Sequence, residues 1–259
     1  MTADRIALAV AAHPDDIEFM MAGTLLRLRD RGWHIHCMTV ADGSCGSAVA
    51  SADEIAAVRR DEAGIACRTV GAVYHESICR DLHILYTPEL ISRVLTVVRD
   101  VAPRILLVPS PQDYMEDHVN AGRIAVTAAF ARGMPNFPSD PPRSPVATDV
   151  SVYHAMPHGL LGPLGERIVP GLYVDVSPVM DEKRRMLACH KSQKEWLDRT
   201  QGMDAYLDTM RGFSRQMGQM SGVFEFAEGW RRRRYLGFST YDENPLYEAL
   251  GDDCLLNEQ

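Results

Sequence analysis

Long apolar runs are missing from this 259-residue chain: none approaches the ~18 residues that a membrane-spanning helix needs, so no span is expected. No secretory leader is expected either. The apolar stretch near the N-terminus is short and runs straight into His13-Pro14-Asp15-Asp16 without a small-residue cleavage site, so a cytoplasmic location is expected. Positive charge is scarce. The 27 Lys and Arg stand against 35 Asp and Glu, and a net charge of −8 argues against nonspecific binding to nucleic acid or anionic membranes. Paired cysteines are absent too: Cys37, Cys45, Cys67, Cys79, Cys189 and Cys254 are scattered with no C-x-x-C, which predicts reduced thiols and no Cys-ligated metal. Neither G-x-G-x-x-G nor G-K-S/T is present to support a dinucleotide or P-loop site. No G-x-S-x-G elbow offers a nucleophilic serine, and no internal repeat is visible.

What is there is the make-up of an ordinary globular protein, 46% apolar and 24% charged, with enough chain to bury a sizeable core. The densest chemistry lies in residues 5–19, RIALAVAAHPDDIEF. The apolar run Ile6 to Ala12 has strand length and is bounded by Pro14, which reads as a buried strand of a parallel sheet. Ile17, Met20, Met21, Thr24, Leu25 and Leu28 follow at helical spacing, so a helix begins near Asp15. An imidazole and two carboxylates thus fall at the carboxyl end of a strand, where open α/β sheets bind ligands. His13 and Asp16, three apart across the turn, can converge on one point. A neutral imidazole and a carboxylate suit zinc better than magnesium or calcium. Two adjacent acids also favour a helix dipole, but one would suffice for capping.

Further along, strands are expected over residues 33–40 and 70–74, a helix over 51–69, and a flexible glycine-bearing loop over 41–51. Pro88 starts a helix that Pro103 stops, and residues 104–108 (RILLV) form another strongly apolar strand. That strand opens into PSPQDYMEDH, followed by a helix from about Asp117 to Ala131. The alternation predicts parallel βα units with right-handed crossovers. The fold expected is therefore α/β and Rossmann-like: a mostly parallel sheet flanked by helices, with an extra C-terminal lobe. Residues 1–133 form the βα core, and residues 134–259 a loop-rich cap and C-terminal helices of the same single domain. Residues 134–150, with five prolines, read as a surface excursion shaping the substrate mouth. Strands at 151–156 and 172–176 and helices over 179–197 and 203–217 follow, and residues 224–234, FEFAEGWRRRR, read as a solvated, acid-paired run. His118, at the end of the second histidine-bearing loop, completes with His13 and Asp16 a two-His, one-carboxylate set with an open position for water. In isolation it would read as a capping histidine.

The HPDD sequence after a strand, together with the strand-loop-helix junction ending in Asp117-His118, resembles the LmbE/PIG-L-like zinc N-deacetylases, over most of the first 130 residues. The resemblance implies zinc on His13, Asp16 and His118, Asp15 as general base, and removal of acyl groups from N-acylated amino sugars or their conjugates. It further implies sugar contacts by Arg59, in Arg59-Arg60-Asp61-Glu62, and by Asp81. The partner implied is a small-molecule glycoconjugate; self-association is left open. One departure stands out. The family often has His-Pro-Asp-His at the distal motif, and here Met115 replaces the first histidine, whose role there is to polarise the amide. Methionine cannot donate a hydrogen bond. His158 and then His154 are the expected replacements as oxyanion donors, with Tyr114 next. A rival expectation is a non-catalytic metal- and sugar-binding module, which Met115 favours and the retained Asp15 opposes.

Overall fold

The computed structural model describes residues 5–193 and 205–257. Its sheet has eight strands: β1 (Ile6–Ala11), β2 (His34–Thr39), β3 (Val73–His75), β4 (Ile105–Val108), β5 (Ser151–Ala155), β6 (Leu172–Asp175), β7 (Ala227–Arg232) and β8 (Cys254–Leu256), in the order β3-β2-β1-β4-β5-β7-β6-β8. The first five run parallel, whereas β7, β6 and β8 extend the sheet beyond β5, each antiparallel to its neighbour. β1 and β4 show why the apolar runs are continuous. Ala7, Ala9 and Ala11 of β1 pack on one face while Leu8 and Val10 pack on the other, so a strand covered on both sides has no polar alternation. Each fully buried Leu or Val is worth about 1.5–3 kcal/mol.

Helices α1 (Asp16–Met20), α2 (Ala22–Asp30), α3 (Ala52–Thr69), α4 (Pro88–Val101), α5 (Glu116–Ala131), α6 (Met180–Leu187), α7 (Ala205–Ser221) and α8 (Pro245–Leu250) cover the sheet. Of these, α4 and α5 lie against the face that carries Leu8 and Val10, and α2, α6, α7 and α8 against the other. Ser51 caps α3 with a full capping box to Glu54, and Thr87 with Pro88 opens α4. Successive connections from β1 run outward through β2 to β3, then return to β4 on the opposite side of β1. The order therefore reverses between β1 and β4, which opens a crevice beyond their carboxyl ends.

Four expectations change. The first helix is broken at Met21, whose φ of −132° ends α1; α2 restarts there because the Glu228 carboxylate accepts the backbone N–H groups of Gly23 and Thr24, both at 2.8 Å. Residues 224–234 are not a solvated run: they contain β7, an interior strand whose Glu228 and Trp230 are buried. Arg231 there donates to the Gln112 side chain, and Arg232 pairs with Asp242. The helix expected over 179–197 ends at Leu187, resumes over residues 191–193, and its last positions lie outside the described residues. The proline-rich loop, finally, does not shape the mouth. Arg99, near the C-terminus of α4, donates to the carbonyls of Met134, Phe137 and Arg143, so the loop is tied where helices end and strands begin. That is the sheet edge opposite the crevice.

Candidate active site and metal centre

The turn from β1 to α1 places its four residues by backbone geometry. Asp15 has a φ of 100°, a left-handed conformation that costs a non-glycine residue about 1–3 kcal/mol and persists only when its surroundings over-determine it. Three contacts do so. The Pro14 carbonyl accepts from Arg59 Nη2 (2.6 Å), the His13 backbone N–H donates to Asp16 Oδ2 (2.8 Å), and Asp15 Oδ2 accepts a hydrogen bond from the Tyr206 hydroxyl. The strained turn sends Asp15 and Asp16 in different directions.

Asp16 points toward both histidines. Its oxygens lie 3.6 Å from His13 Nδ1 and 3.4 Å from His118 Nε2, and ligand atoms of the three residues fall within 4.8 Å of one another. Each imidazole is anchored by its other nitrogen. His13 Nε2 donates to Asp117 Oδ2 (3.0 Å), and His118 Nδ1 donates to Asp113 Oδ1 (2.9 Å). A carboxylate behind each ring fixes tautomer and orientation and leaves one nitrogen free to ligate, the arrangement around ligating histidines generally. The donor set therefore fits a divalent ion of zinc's character: two imidazole nitrogens, one carboxylate and an open side toward a cavity. Charge agrees with geometry. Burial works against charge on His13, yet its hydrogen bonds to Asp117 and Asp16 and the Asp16 and Asp81 charges push it up to about 9. Burial likewise opposes charge on His118, but Asp16 and Asp113 push it up to about 11. The centre is thus a concentrated demand for positive charge.

Asp15 is buried beside this group. Burial, first, raises its pKa above the ordinary carboxylate value; Arg59, whose Nη2 lies 3.5 Å from Oδ1, pulls the other way. The same cavity, about 300 Å³ in volume, is lined by His13, Asp15, Asp16, His118 and His158. It is at the small end of ligand sites, enough for one or two sugar rings.

The remaining predicted residues divide by what their polar atoms already do. Arg59 lines the cavity but spends its guanidinium on the carbonyls of Pro14 and Gly43. Gly43 has a φ of +78°, and a Cβ there would come within 2.6 Å of Arg59 Nε, so the loop of residues 41–51 closes over this side chain only with glycine. Asp81 clamps that loop from below, accepting the N–H groups of Gly43 (2.7 Å) and Cys45 (2.9 Å). His158 also lines the cavity. Its ring packs 5.0 Å from Phe19 and 5.8 Å from Tyr114, and burial, foremost, lowers its pKa, so it is neutral near pH 7 and keeps one N–H to give. His154 is buried within β5, bonded through Nδ1 to the Pro109 carbonyl (3.0 Å), and is not among the cavity's lining residues. Tyr114 stands 63% exposed at the mouth, with Met115 beside it on the wall.

Three residues that work at this site were not singled out from the sequence. Asp113 holds His118 and also accepts the His158 backbone N–H (2.9 Å); Asp117 holds His13 and accepts Leu82 N–H (2.7 Å). An acid five residues before a ligand histidine, and another just before it, were the available signals. Tyr206, with Thr209, reaches the cavity from α7, and nothing local in the sequence marks it.

Comparison with known proteins agrees with this geometry. Residues 8–129 match the family model described as PIG-L, GlcNAc-PI de-N-acetylase. Diacetylchitobiose deacetylase of Thermococcus kodakarensis is 30% identical over 230 residues, which cover 86% of this chain and 81% of that protein. Among solved structures, N,N'-diacetylchitobiose deacetylase from Pyrococcus horikoshii superposes with a TM-score of 0.75 at 23% identity, covering 93% of this chain and 88% of that one. GalB, a 4-carboxy-2-hydroxymuconate hydratase from Pseudomonas putida, superposes with a TM-score of 0.74 at 22% identity, covering 93% of this chain and 99% of that one. At such identities the structural likenesses speak for the fold alone. A family model matched over residues 8–129 and a relative 30% identical and aligned along most of its length lead to one conclusion: the chain belongs to the PIG-L (LmbE-like) deacetylase family.

Proposed function

We propose that this protein is a zinc-dependent amidohydrolase that removes the acyl group from an N-acylated amino sugar or a conjugate of one, with His13, Asp16 and His118 holding the metal. The observation that carries the reading is the convergence of those three donors beside the buried, strained Asp15 at the floor of a sugar-sized cavity. A zinc ion there supplies Lewis acidity toward water and the amide carbonyl. The protein's own groups do the rest. Asp15, its pKa raised by burial, takes the proton of the attacking water and returns it to the departing amine. Tyr206 and Arg59 hold its carboxylate in place while it does so. His158, neutral and lining the cavity, donates to the oxygen of the former carbonyl as charge builds on it, a contact worth about 3–4 kcal/mol. Tyr114 meets the sugar at the mouth. Arg59 and Asp81 also bond the backbone of the glycine loop that forms the wall and shape it.

Met115 on the cavity wall keeps the non-catalytic module as the second reading. The two separate cleanly. Zinc-loaded protein is incubated with N,N'-diacetylchitobiose and with N-acetylglucosamine, and free amine and acetate are measured. Stoichiometric release of both products is expected. Saturable sugar binding without release, with the metal in place, would establish the module instead.

A further inference from the structure

A groove of about 620 Å³ lies along the second half of α5, between that helix, the loop at Tyr86 and the chain after β7. It shares no lining residue with the metal-bearing cavity. The two stand toward opposite ends of the helix, with His118 in its first turn and Phe130 in its last. Its floor is fixed by the backbone. The Phe238 N–H closes a turn on the Tyr235 carbonyl (2.8 Å), and Arg132 and the Val150 N–H both donate to the Phe238 carbonyl. Gly237 has a φ of +84°, and a side chain there would run into the Phe130 ring, so turn and helix meet only through glycine. Phe238 thereby lies buried against Phe130, with ring centroids 5.7 Å apart.

Apolar surface stays open around that floor. Tyr86, Phe130 and Leu236 are between 44% and 56% exposed, which is ordinary for scattered side chains but not for three lining one concavity. Positive charge surrounds them. The Arg123 guanidinium lies 4.6 Å over the Tyr86 ring, the Arg233 guanidinium lies 5.7 Å over Phe238, and Arg234 also lines the groove. Among the described residues none of these three pairs with a carboxylate, whereas the neighbouring Arg232 pairs with Asp242. In a chain of net charge −8, three guanidiniums left without an acid around one apolar floor call for an anion from outside. A guanidinium stacked on an aromatic face keeps its N–H edge free, and that edge takes a carboxylate or phosphate in two parallel bonds.

We propose that this groove is a second ligand site, for a small organic anion. Its apolar or aromatic body lies on Phe130 and Phe238, and its carboxylate, sulfonate or phosphate ester meets the arginines. The inference stands apart from the amide-hydrolysis reading. The volume falls among small-molecule sites, which run from about 300 to about 1,000 Å³. Charge selects against larger occupants. A second copy docked through the same patch would set arginine against arginine. Nucleic acid or an anionic membrane would approach a protein whose net charge has its own sign. A small anion meets only the local arginines.

The test is a fluorescence titration of the full chain with 1-anilinonaphthalene-8-sulfonate, an aromatic monoanion. Saturable binding is expected. The double variant Arg233→Gln with Arg234→Gln should weaken it by about tenfold or more, the scale of one lost charge-assisted hydrogen bond. Leu236→Glu, which adds a like charge at an exposed position, should weaken it to a similar degree, and thermal unfolding checks that both variants fold. Tyr114→Ala, at the mouth of the catalytic cavity, should leave the affinity unchanged. Phenyl phosphate should displace the dye at concentrations about tenfold below those of inorganic phosphate or benzyl alcohol, each of which carries half of the match. Binding unmoved by both groove variants would overturn the inference, as would the absence of saturable binding. A loss caused by Tyr114→Ala alone would put the dye in the catalytic cavity and overturn it too. Self-association of the wild type in size-exclusion chromatography, abolished by the double variant, would give the groove to a second copy instead.

Discussion

Asp15 concentrates what this site asks of a single residue. It is buried, held in a left-handed conformation, and bonded by a tyrosine from the far end of the chain. Asp15→Asn preserves shape and removes the proton acceptor. Metal content should stay the same, while turnover falls by about 10²–10⁴-fold; elemental analysis beside an acetate-release assay checks both. Asp113→Ala acts differently because it releases His118 from its anchor at Nδ1. Zinc affinity should weaken by about 10–100-fold, read by competition with a chelator. His158→Ala should lower kcat by about 10²-fold with affinity for zinc unchanged. A variant that lost zinc would instead mean that His158 supports the ligands.

At the scale of elements, the joint between α2 and β7 carries much of the architecture. Glu228 accepts from Lys183 Nζ (2.8 Å) and from the first turn of α2, and Trp230 two residues on donates from Nε1 to Thr24 Oγ1 (2.8 Å). The pair is almost wholly enclosed, with side chains 1% and 3% exposed. Glu228→Ala leaves Lys183 buried without its partner and α2 without its cap. We expect a loss of about 3–5 kcal/mol in urea unfolding, whereas a paired change of Glu228 and Lys183 to apolar residues should recover much of it. The same joint explains why β7 was hard to read. Its sequence, AEGWRR, holds a buried acid and two arginines, so the apolar pattern that marks β1 and β4 is absent. Only its partners on α2, α6 and α7 make the strand soluble in the core.

For the whole molecule, metal, protons and folding are linked through His13 and His118. In the metal-free protein both imidazoles hold protons near neutral pH, pushed up to about 9 and about 11 by the surrounding carboxylates. Between the unfolded value of 6.5 and those values, the folded state binds more protons than the unfolded chain. Stability from these groups is therefore complete below pH 6.5 and declines as pH rises through about 9. The unfolding midpoint of chelator-treated protein should fall between pH 7 and pH 9, and loading with zinc should remove that component of the slope. Zinc uptake at pH 7 should release about two protons, measurable by calorimetry in buffers of different ionisation heat. Zinc that bound without proton release would place the metal elsewhere.

The residues of the primary motif were legible because they are local. A strand that is apolar at every position can only be covered on both faces, and His13-Pro14-Asp15-Asp16 at its end needs no tertiary knowledge to read as ligand chemistry. His118 was legible by the same logic, since β4 is a second strand of that kind. The sheet edge on which they meet followed from the βα alternation. What tertiary structure alone decided is which side chains stand behind and around these residues. Asp113 was within reach of the eye but competes with many acids that merely begin helices. Tyr206 lies 191 positions from the carboxylate it bonds. Arg59 and Asp81 carry the side chains expected of sugar contacts, and only the folded loop shows Arg59 bonded to the Pro14 and Gly43 carbonyls and paired with Asp15, and Asp81 accepting from Gly43 and Cys45. The proline-rich segment went to the opposite edge because an arginine on α4 collects its carbonyls there. Short-range pattern determines where a strand ends and what chemistry it presents; long-range packing determines which partners orient that chemistry, because those contacts leave no periodicity in the chain.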